Sequence, residues 1–309
     1  MTSPRKHPQP PLPPPGPVGP QPGLPPLPPP SEDRIDAFVA RVWEEGRRLY
    51  RDLPWRGVDD PYPVLVSEVM LQQTQVSRVL GHWERFCGMF PTIDALAAAD
   101  TALVLEQWQG LGYNRRALSL KRAAELCAAQ YGGRVPEAHK DLLALPGVGA
   151  ATAAGITAFA RNRPAVYIET NVRALFIHEF FPQATSVTDR ELVPLVEAAC
   201  SEDAPRAWYY AVLDCGWHLK QVAANPSRRS AHYARQSAFV GSRRQKRAEL
   251  LRLVLASPGI DADALHAALN ASEAASGRPA VDRALFDSLT GEMLFEGFFR
   301  LQDNTFRCP

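Results

Sequence analysis

The stretch Leu145-Pro146-Gly147-Val148-Gly149 decides the fold, together with an acidic residue 20 positions after Gly149, at Glu169. Helical apolar patterns precede the stretch at 138–144 and follow it at 150–160. Glycine lets the backbone turn sharply and approach another molecule closely, and proline fixes one dihedral angle. Exposed amides at the start of the second helix suit a phosphate oxygen. The stretch therefore predicts a tight turn between two helices that binds an anion, although an ordinary turn in an all-helical protein explains it equally well.

Apolar residues recur at helical spacing through most of the chain and predict an all-α region from 33 to 225. The first helix has one apolar face, with Ser31 as its expected N-cap. No strand-like alternation of any length precedes residue 290. Further helices are predicted at 64–75, 77–90, 93–98, 101–109, 114–131, 170–180, 187–200 and 204–220.

The C-terminal part, 243–309, is predicted to be a separate winged-helix-like domain. Helices are expected at 243–256, 261–270 and 278–290. They are followed by two short apolar runs that Gln302-Asp303-Asn304 joins as a hairpin turn. Such a fold serves DNA binding in some proteins and protein contacts in others. Residues 226–242 are interpreted as a basic linker between the two domains.

Residues 1–32 form a proline-rich tail, because 15 of the 29 prolines fall within the first 30 positions. A segment of this composition cannot bury a core and is expected to be disordered. The five cysteines are scattered without a CxxC pair, which argues against a metal site and a disulfide framework. Without a signal peptide or membrane span in the sequence, we expect a cytoplasmic, nucleoid-associated protein.

The net charge of +1 does not by itself indicate a nucleic-acid-binding protein, but the charge distribution does. From Cys215 to Ala248 there is no Asp or Glu, whereas eight Lys and Arg residues fall there, including Arg228 and Arg229. A basic stretch of this length is expected to contact phosphates. A solvated linker surface is the alternative interpretation.

Glu68 is the first candidate for chemistry, because it lies in an otherwise apolar helical segment. Burial there would raise the pKa of its carboxyl and make it a proton donor at neutral pH. Two carboxyl groups in different environments can divide the work of a reaction, one as a proton donor and one to stabilise positive charge. Taken alone, a buried glutamate is more often a structural residue.

The run from Asp60-Pro61-Tyr62 through Ser67-Glu68-Val69-Met70-Leu71-Gln72-Gln73-Thr74-Gln75-Val76 resembles a motif of the adenine DNA glycosylase (MutY) branch of the helix-hairpin-helix (HhH-GPD) superfamily of base excision repair. The resemblance spans roughly residues 52–220. It implies a two-lobed glycosylase fold at 33–225 and a cleft that receives a flipped base. In this family the glutamate of the motif, here Glu68, protonates the adenine.

The resemblance also implies roles for residues outside that run. Glu169 would stabilise the sugar cation, with Asn171 in support, and Trp55 and Arg56 would line the base pocket. Double-stranded DNA carrying a mismatched or damaged base would be the partner of a monomeric protein. The residues expected to contact that DNA are Gln73, Thr74, the wedge Tyr113, the hairpin residues Leu145, Gly147, Gly149 and Thr152, and Arg228 and Arg229.

The chain departs from the family pattern at four places. Glu169 stands where the family has an aspartate, one methylene shorter. Ala151 stands where bifunctional relatives have a lysine that forms a Schiff base, so no lyase activity is expected. The segment after Gly216 lacks the four cysteines of a 4Fe–4S cluster, so no cofactor is expected. The C-terminal part is too short and too helical for the Nudix-like domain that recognises 8-oxoguanine.

The leading hypothesis is a monofunctional DNA glycosylase that removes adenine opposite 8-oxoguanine or guanine. A mismatch glycosylase for thymine or a modified pyrimidine is the alternative enzyme. A non-catalytic DNA-binding protein is the alternative from another class, although both carboxylates are retained.

Overall fold

The computed structural model of the chain describes residues 31–236 and 238–309, and the expected proline-rich tail lies outside these residues except at its last two positions. Among the described residues, no helix is both long and apolar enough to cross a bilayer. The helices of the first domain are α1 (Glu32–Arg48), α2 (Pro61–Leu71), α3 (Val76–Val79), α4 (His82–Met89), α5 (Ile93–Ala98), α6 (Thr101–Gln107), α7 (Arg115–Gln130), α8 (His139–Ala144), α9 (Ala150–Phe159), α10 (Thr170–Phe180), α11 (Asp189–Ala199) and α12 (Pro205–Val222).

These helices form two lobes, as the resemblance predicts. One lobe packs α5, α6 and α7 together with α2, α4, α8 and α9, and the other packs α1 and α11 against α10 and α12. Contact between α9 and α12 joins the lobes. Phe38 of α1 anchors the second lobe, with its ring edge against Phe176 and Phe180 of α10. Both lobes share one continuous apolar core.

Two predicted helices have different bounds because local backbone chemistry overrides their apolar pattern. The helix predicted at 64–75 begins earlier, at Pro61, since proline suits the first helical position and the Asp60 side chain caps the Tyr62 amide. The helix predicted at 77–90 is two helices, because Gly81 adopts a φ of 73° between α3 and α4. Ser31 does precede α1, but its side chain makes no capping hydrogen bond.

The C-terminal domain consists of three helices and a small antiparallel sheet. The predicted turn is present, with Asp303 and Asn304 both at positive φ. A strand that the sequence did not predict, β1, pairs with β3, so the sheet order is β1-β3-β2. The last helix lies several residues later than the predicted 278–290. The elements are α13 (Arg243–Ala256), β1 (Ile260–Asp261), α14 (Ala262–Ala275), α15 (Arg283–Glu296), β2 (Arg300–Gln302) and β3 (Thr305–Arg307).

The first part of the predicted linker belongs structurally to the first domain. Residues Pro226–Arg229 form a 3₁₀ turn that packs on α10, and Ser230 pairs with Val187. The Arg229 guanidinium donates to the carbonyls of Phe181 and Ala184 at the end of α10. The connection that is exposed to solvent therefore begins only after Ser230.

Close contact between α1 and α12 depends on Gly46, because a Cβ at this position would overlap the Ala211 side chain. We expect Gly46→Ala to destabilise the protein by roughly 1–3 kcal/mol through overpacking, measured by urea unfolding. Gly291→Ala is the matched control, since Gly291 is an exposed helical glycine with open space around it. It should stabilise the protein by roughly 0.5–1 kcal/mol, and equal effects of the two substitutions would exclude a packing role for Gly46.

Candidate active site

A cleft of about 1010 Å³ opens between the lobes and contains both predicted carboxylates. Glu68 enters it from α2, and Glu169 enters from the start of α10. Tyr167, Asn171 and Lys220 also line the cleft. The two carboxylates are close enough that the charge of Glu169 raises the pKa of Glu68. The structure therefore brings together the acids that lie about 100 residues apart in the chain, as the resemblance implies.

Glu68 is almost fully buried, and this burial is the main cause that raises the pKa of its carboxyl to about 8. A hydrogen bond with Tyr167 opposes the shift, and the charge of Glu169 adds to it. The carboxyl also lies directly against α9, where a Cβ at Gly155 would overlap Glu68 Oε2. Glu68 is therefore protonated at neutral pH and can donate a proton into the cleft.

Glu169 occupies the N-cap position of α10, and this role holds its carboxylate in place. Its Oε1 accepts hydrogen bonds from the amides of Asn171 (2.6 Å) and Val172 (3.1 Å). Burial raises the pKa of Glu169, whereas the charge of Lys220 and these amides act in the opposite direction. Anchored at the positive end of a helix dipole, this carboxylate can face a cation in the cleft.

Asn171 has a buried Oδ1 without a hydrogen-bond partner among the described residues. Its backbone lies so close to α12 that a Cβ at Gly216 would overlap the Asn171 carbonyl oxygen. A buried acceptor without a partner costs stability. In a cleft that also holds two carboxylates, such an acceptor is available to a water molecule or a substrate hydroxyl.

Lys220 is a cleft residue that the sequence analysis counted only as part of the basic stretch. It lies one helical turn after Gly216 on the same face of α12, which places its amine beside Glu169. Burial lowers the pKa of Lys220, and the charge of Glu169 opposes this effect. In the sequence, the only sign that Lys220 lies in the cleft is its position four residues after Gly216 in the helix predicted at 204–220.

The predicted base-pocket residues Trp55 and Arg56 both line the cleft, but Arg56 has a structural role. Its guanidinium makes two hydrogen bonds to the buried carboxylate of Asp214, at 2.7 and 2.8 Å, and a third to the Arg51 carbonyl. Trp55 packs edge-on against Trp83. Arg56 therefore stiffens the wall of the cleft, and its donors are already engaged.

Gln73 and Tyr113 occupy adjacent loops at the edge of the cleft, and both have positive φ, at 55° and 48°. Arg116, which the sequence analysis missed, ties these loops together. Its guanidinium donates to the carbonyls of Gln72 and Gly112 and to Thr74 Oγ1. A non-glycine residue at positive φ is strained, and two such residues side by side are typical of a functional edge.

The hairpin forms the predicted tight turn between α8 and α9, with Gly147 at a φ of 79°. Gly147 and Gly149 are exposed, as a backbone grip requires. Leu145 and Thr152, however, are buried, and Thr152 Oγ1 accepts a hydrogen bond from Gln72. Their side chains therefore hold the turn in place, and Thr152 also lines the cleft. The predicted contact of these two residues with DNA stays a prediction.

Part of the basic stretch, in α13, forms internal ion pairs, which changes its interpretation. Arg228 is exposed, whereas the Arg229 guanidinium donates to backbone carbonyls, and the phosphate contacts expected of both residues stay predictions. In α13, Arg243 and Arg247 pair with Glu292, and Lys246 pairs with the buried Glu273. Counting charges along the sequence could not reveal these acidic partners, because they lie in α14 and α15.

The segment that follows α12 does not fit an iron–sulfur cluster. It contains no cysteine between Gly216 and Ala231. In the part of the chain that the structure describes, no three His, Cys, Asp or Glu side chains group together as metal ligands. Hydrogen bonds from the Ser227 amide and hydroxyl to the Asn225 side chain hold this segment instead, together with Arg229.

Comparisons with known proteins place this geometry in a family. The model of the HhH-GPD superfamily of base excision DNA repair proteins matches residues 66–197. The adenine DNA glycosylase of Mycolicibacterium smegmatis is 34% identical over 274 residues, which is 81% of this chain and 91% of that protein. The adenine DNA glycosylase of Mycobacterium tuberculosis H37Rv is 34% identical over 236 residues, covering 68% of this chain and 76% of its own.

Solved structures agree on the fold. A thermostable thymine-DNA glycosylase superposes with a TM-score of 0.54 at 24% identity, over 60% of this chain and 86% of its own. Endonuclease III in a trapped covalent complex with DNA superposes with a TM-score of 0.50 at 19% identity. The superposition covers 61% of this chain and 85% of endonuclease III. The family model and the relatives above identify a base excision DNA repair protein of the helix-hairpin-helix class, and these structures share its fold. Within that class, the chain belongs to the adenine DNA glycosylase family.

A protonated Glu68 predicts a specific pH dependence of stability. Because its pKa of about 8 in the folded protein exceeds the ordinary 4.5, the folded chain binds one more proton than the unfolded chain between these pH values. Stability should therefore fall as pH rises through this window, and Glu68→Gln should escape this loss. We expect the variant to gain on the order of a few kcal/mol relative to wild type between about pH 4 and pH 9, measured by urea unfolding. Parallel pH profiles would contradict a protonated Glu68.

The proximity of Lys220 and Glu169 predicts a change in the pKa of Glu169. Lys220→Met removes the cation that favours the ionised carboxylate, so the pKa of Glu169 should rise further, whereas Lys220→Arg should keep it near the wild-type value. A ¹³C NMR titration of glutamate carboxyls, with the Glu169 signal assigned from Glu169→Gln, measures this directly. The same titration midpoint in Lys220→Met and wild type would show that the two charges do not interact.

Proposed function

We propose that this protein removes adenine from double-stranded DNA by hydrolysing the bond between the base and C1′ of the deoxyribose. The observation that carries the proposal is the pair of carboxyl groups in one cleft with different environments. Glu68 is held protonated by burial, while Glu169 is held by amides and a lysine that favour its ionised form. Family membership supports adenine as the base, because the relatives quoted above are adenine DNA glycosylases.

The proposed reaction divides the two roles between these groups. Glu68 donates its proton to a ring nitrogen of the adenine, so the base departs as a neutral molecule with the electrons of the glycosidic bond. Positive charge then develops on the sugar, and the Glu169 carboxylate stabilises it. A water molecule held near Asn171 adds to C1′, and Glu169 takes up the proton that this water loses.

The edge of the cleft supports base flipping. An adenine can enter the cleft only after it leaves the helical stack, and a side chain must fill the gap that it leaves. Tyr113, on a loop held by Arg116, is suited to this wedge role, and Gln73 and Thr74 lie beside it. The exposed hairpin amides at Gly147 and Gly149 would hold the phosphate backbone of the same strand.

We further propose that the adenine lies opposite 8-oxoguanine or guanine and that the protein acts as a monomer without an iron–sulfur cluster. All of the cleft groups come from one chain, which supports the monomer. The lack of cysteine between Gly216 and Ala231 supports a cluster-free enzyme.

The element order of the C-terminal domain, with a hairpin after three helices, supports a winged-helix-like fold.

A panel of duplexes tests the function. The panel carries adenine opposite 8-oxoguanine, guanine or thymine, and thymine opposite guanine, and abasic products are detected as alkali-labile sites. Wild type should excise only adenine opposite 8-oxoguanine or guanine. In Glu68→Gln and in Glu169→Gln, the single-turnover rate of excision should fall by a factor on the order of 100 or more. Glu106→Gln, at an exposed acid of α6 that does not line the cleft, should retain full activity.

The same assay without alkali tests the reaction type. Because Ala151 offers no amine, the strands should stay intact until alkali is added. Thymine excision in place of adenine excision would change the substrate assignment. If no duplex gives an abasic product, the alternative of a non-catalytic DNA-binding protein would be favoured.

A further inference from the structure

The loop at 238–242, between the two domains, presents two apolar side chains to solvent. Phe239 is 53% exposed and Val240 is 72% exposed. The loop is nevertheless well defined, since Ser242 Oγ donates to the Phe239 carbonyl at 2.6 Å and the Gly241 amide donates to Gln245 Oε1 at 2.6 Å. Gly241 allows the turn, with a φ of 76°. A built loop that exposes neighbouring apolar residues indicates a contact surface.

This loop lies beside the edge of the cleft where Gln73 and Tyr113 are located. Before the loop, Gln236 Nε2 donates to Gln73 Oε1 at 3.3 Å. After the loop, the Arg244 guanidinium donates to the Tyr113 hydroxyl at 2.7 Å and lies over the Tyr113 ring at 5.5 Å. The residues on both sides of the loop therefore contact the two strained positions at this edge.

The electrostatic surroundings of the loop favour a polyanion. No Asp or Glu occurs from Cys215 to Ala248, and Arg235 is exposed just before the loop. The acids nearest to α13 are already neutralised, because Glu273 binds Lys246 and Arg278, and Glu292 binds Arg243 and Arg247. An apolar tip on a neutral-to-basic surface fits a groove of DNA better than it fits an acidic partner.

We propose that Phe239 and Val240 form a second apolar contact with duplex DNA, beside the wedge Tyr113. This inference rests on the proposed function. Extruding a nucleotide leaves an unstacked step that exposes apolar base faces. Phe239 and Val240 cover those faces in the complex, and the C-terminal domain thereby takes part in holding the distorted duplex.

The test uses the full chain and a duplex with a tetrahydrofuran abasic analogue opposite guanine, with affinity measured by fluorescence anisotropy. We expect the double substitution Phe239→Ala and Val240→Ala to weaken binding roughly 10-fold, a loss typical of one or two base-stacking contacts. Affinity for an undamaged duplex should change much less. The dependence of affinity on salt should stay the same, because an apolar contact releases no counterions.

Phe295→Ala is the matched control, because Phe295 is 94% exposed on α15 of the same domain but outside the loop. It should leave affinity unchanged. Unchanged affinity of the double variant overturns the proposal, and so does a loss of affinity in Phe295→Ala alone, which would place the DNA on another face. Self-association of wild type without DNA that the double variant lacks would assign the loop to protein contact instead.

The result is separable from the proposed function, because binding to the analogue requires no catalysis. Excision of adenine by wild type together with unchanged binding by the double variant would reject only the loop contact. Absence of excision together with weakened binding by the double variant would reject only the enzymatic proposal.

Discussion

The burial of two carboxyl groups in one cleft is the constraint on which the rest of the structure depends. Desolvation raises the pKa of both acids, and the charge of Glu169 raises the pKa of Glu68 further. The fold tolerates two buried carboxyl groups because each of them has its own stabilising partners. Glu68 receives a hydrogen bond from Tyr167, and Glu169 has helix amides and Lys220. The fold supplies these supports by very close helix packing at two glycines, Gly155 against Glu68 and Gly216 against Asn171.

Local sequence signals were sufficient to predict most helices and the hairpin. The glycines and proline of 145–149 predicted the turn, and an acid in an apolar helix predicted the buried Glu68. These features depend on residues that are near each other in sequence, so a pattern can reveal them. The break at Gly81 and the strand β1 were missed, because one glycine or two residues give too weak a signal against the surrounding periodicity.

The roles of charged residues were the least predictable part of the site. Arg56, Arg116 and Arg229 all bind carbonyls or carboxylates inside the protein, although their sequence context does not distinguish them from DNA-contacting arginines. Arginine is suited to such roles because its planar group can satisfy several acceptors at once. Whether an arginine faces solvent depends on partners that are distant in sequence, such as Asp214 for Arg56, and only the tertiary structure reveals them.

Glu169 caps α10 in spite of its extra methylene. An aspartate N-cap reaches the amides of its own helix through a short side chain, and a longer side chain must fold back to reach them. In this structure Glu169 does fold back, since one carboxylate oxygen accepts from the amides at Asn171 and Val172. The amides at the helix end therefore hold the carboxylate in place despite the extra methylene. Lys220 lies beside Glu169 on the neighbouring helix α12, which Gly216 brings close, so a helix also sets the charge balance at this point.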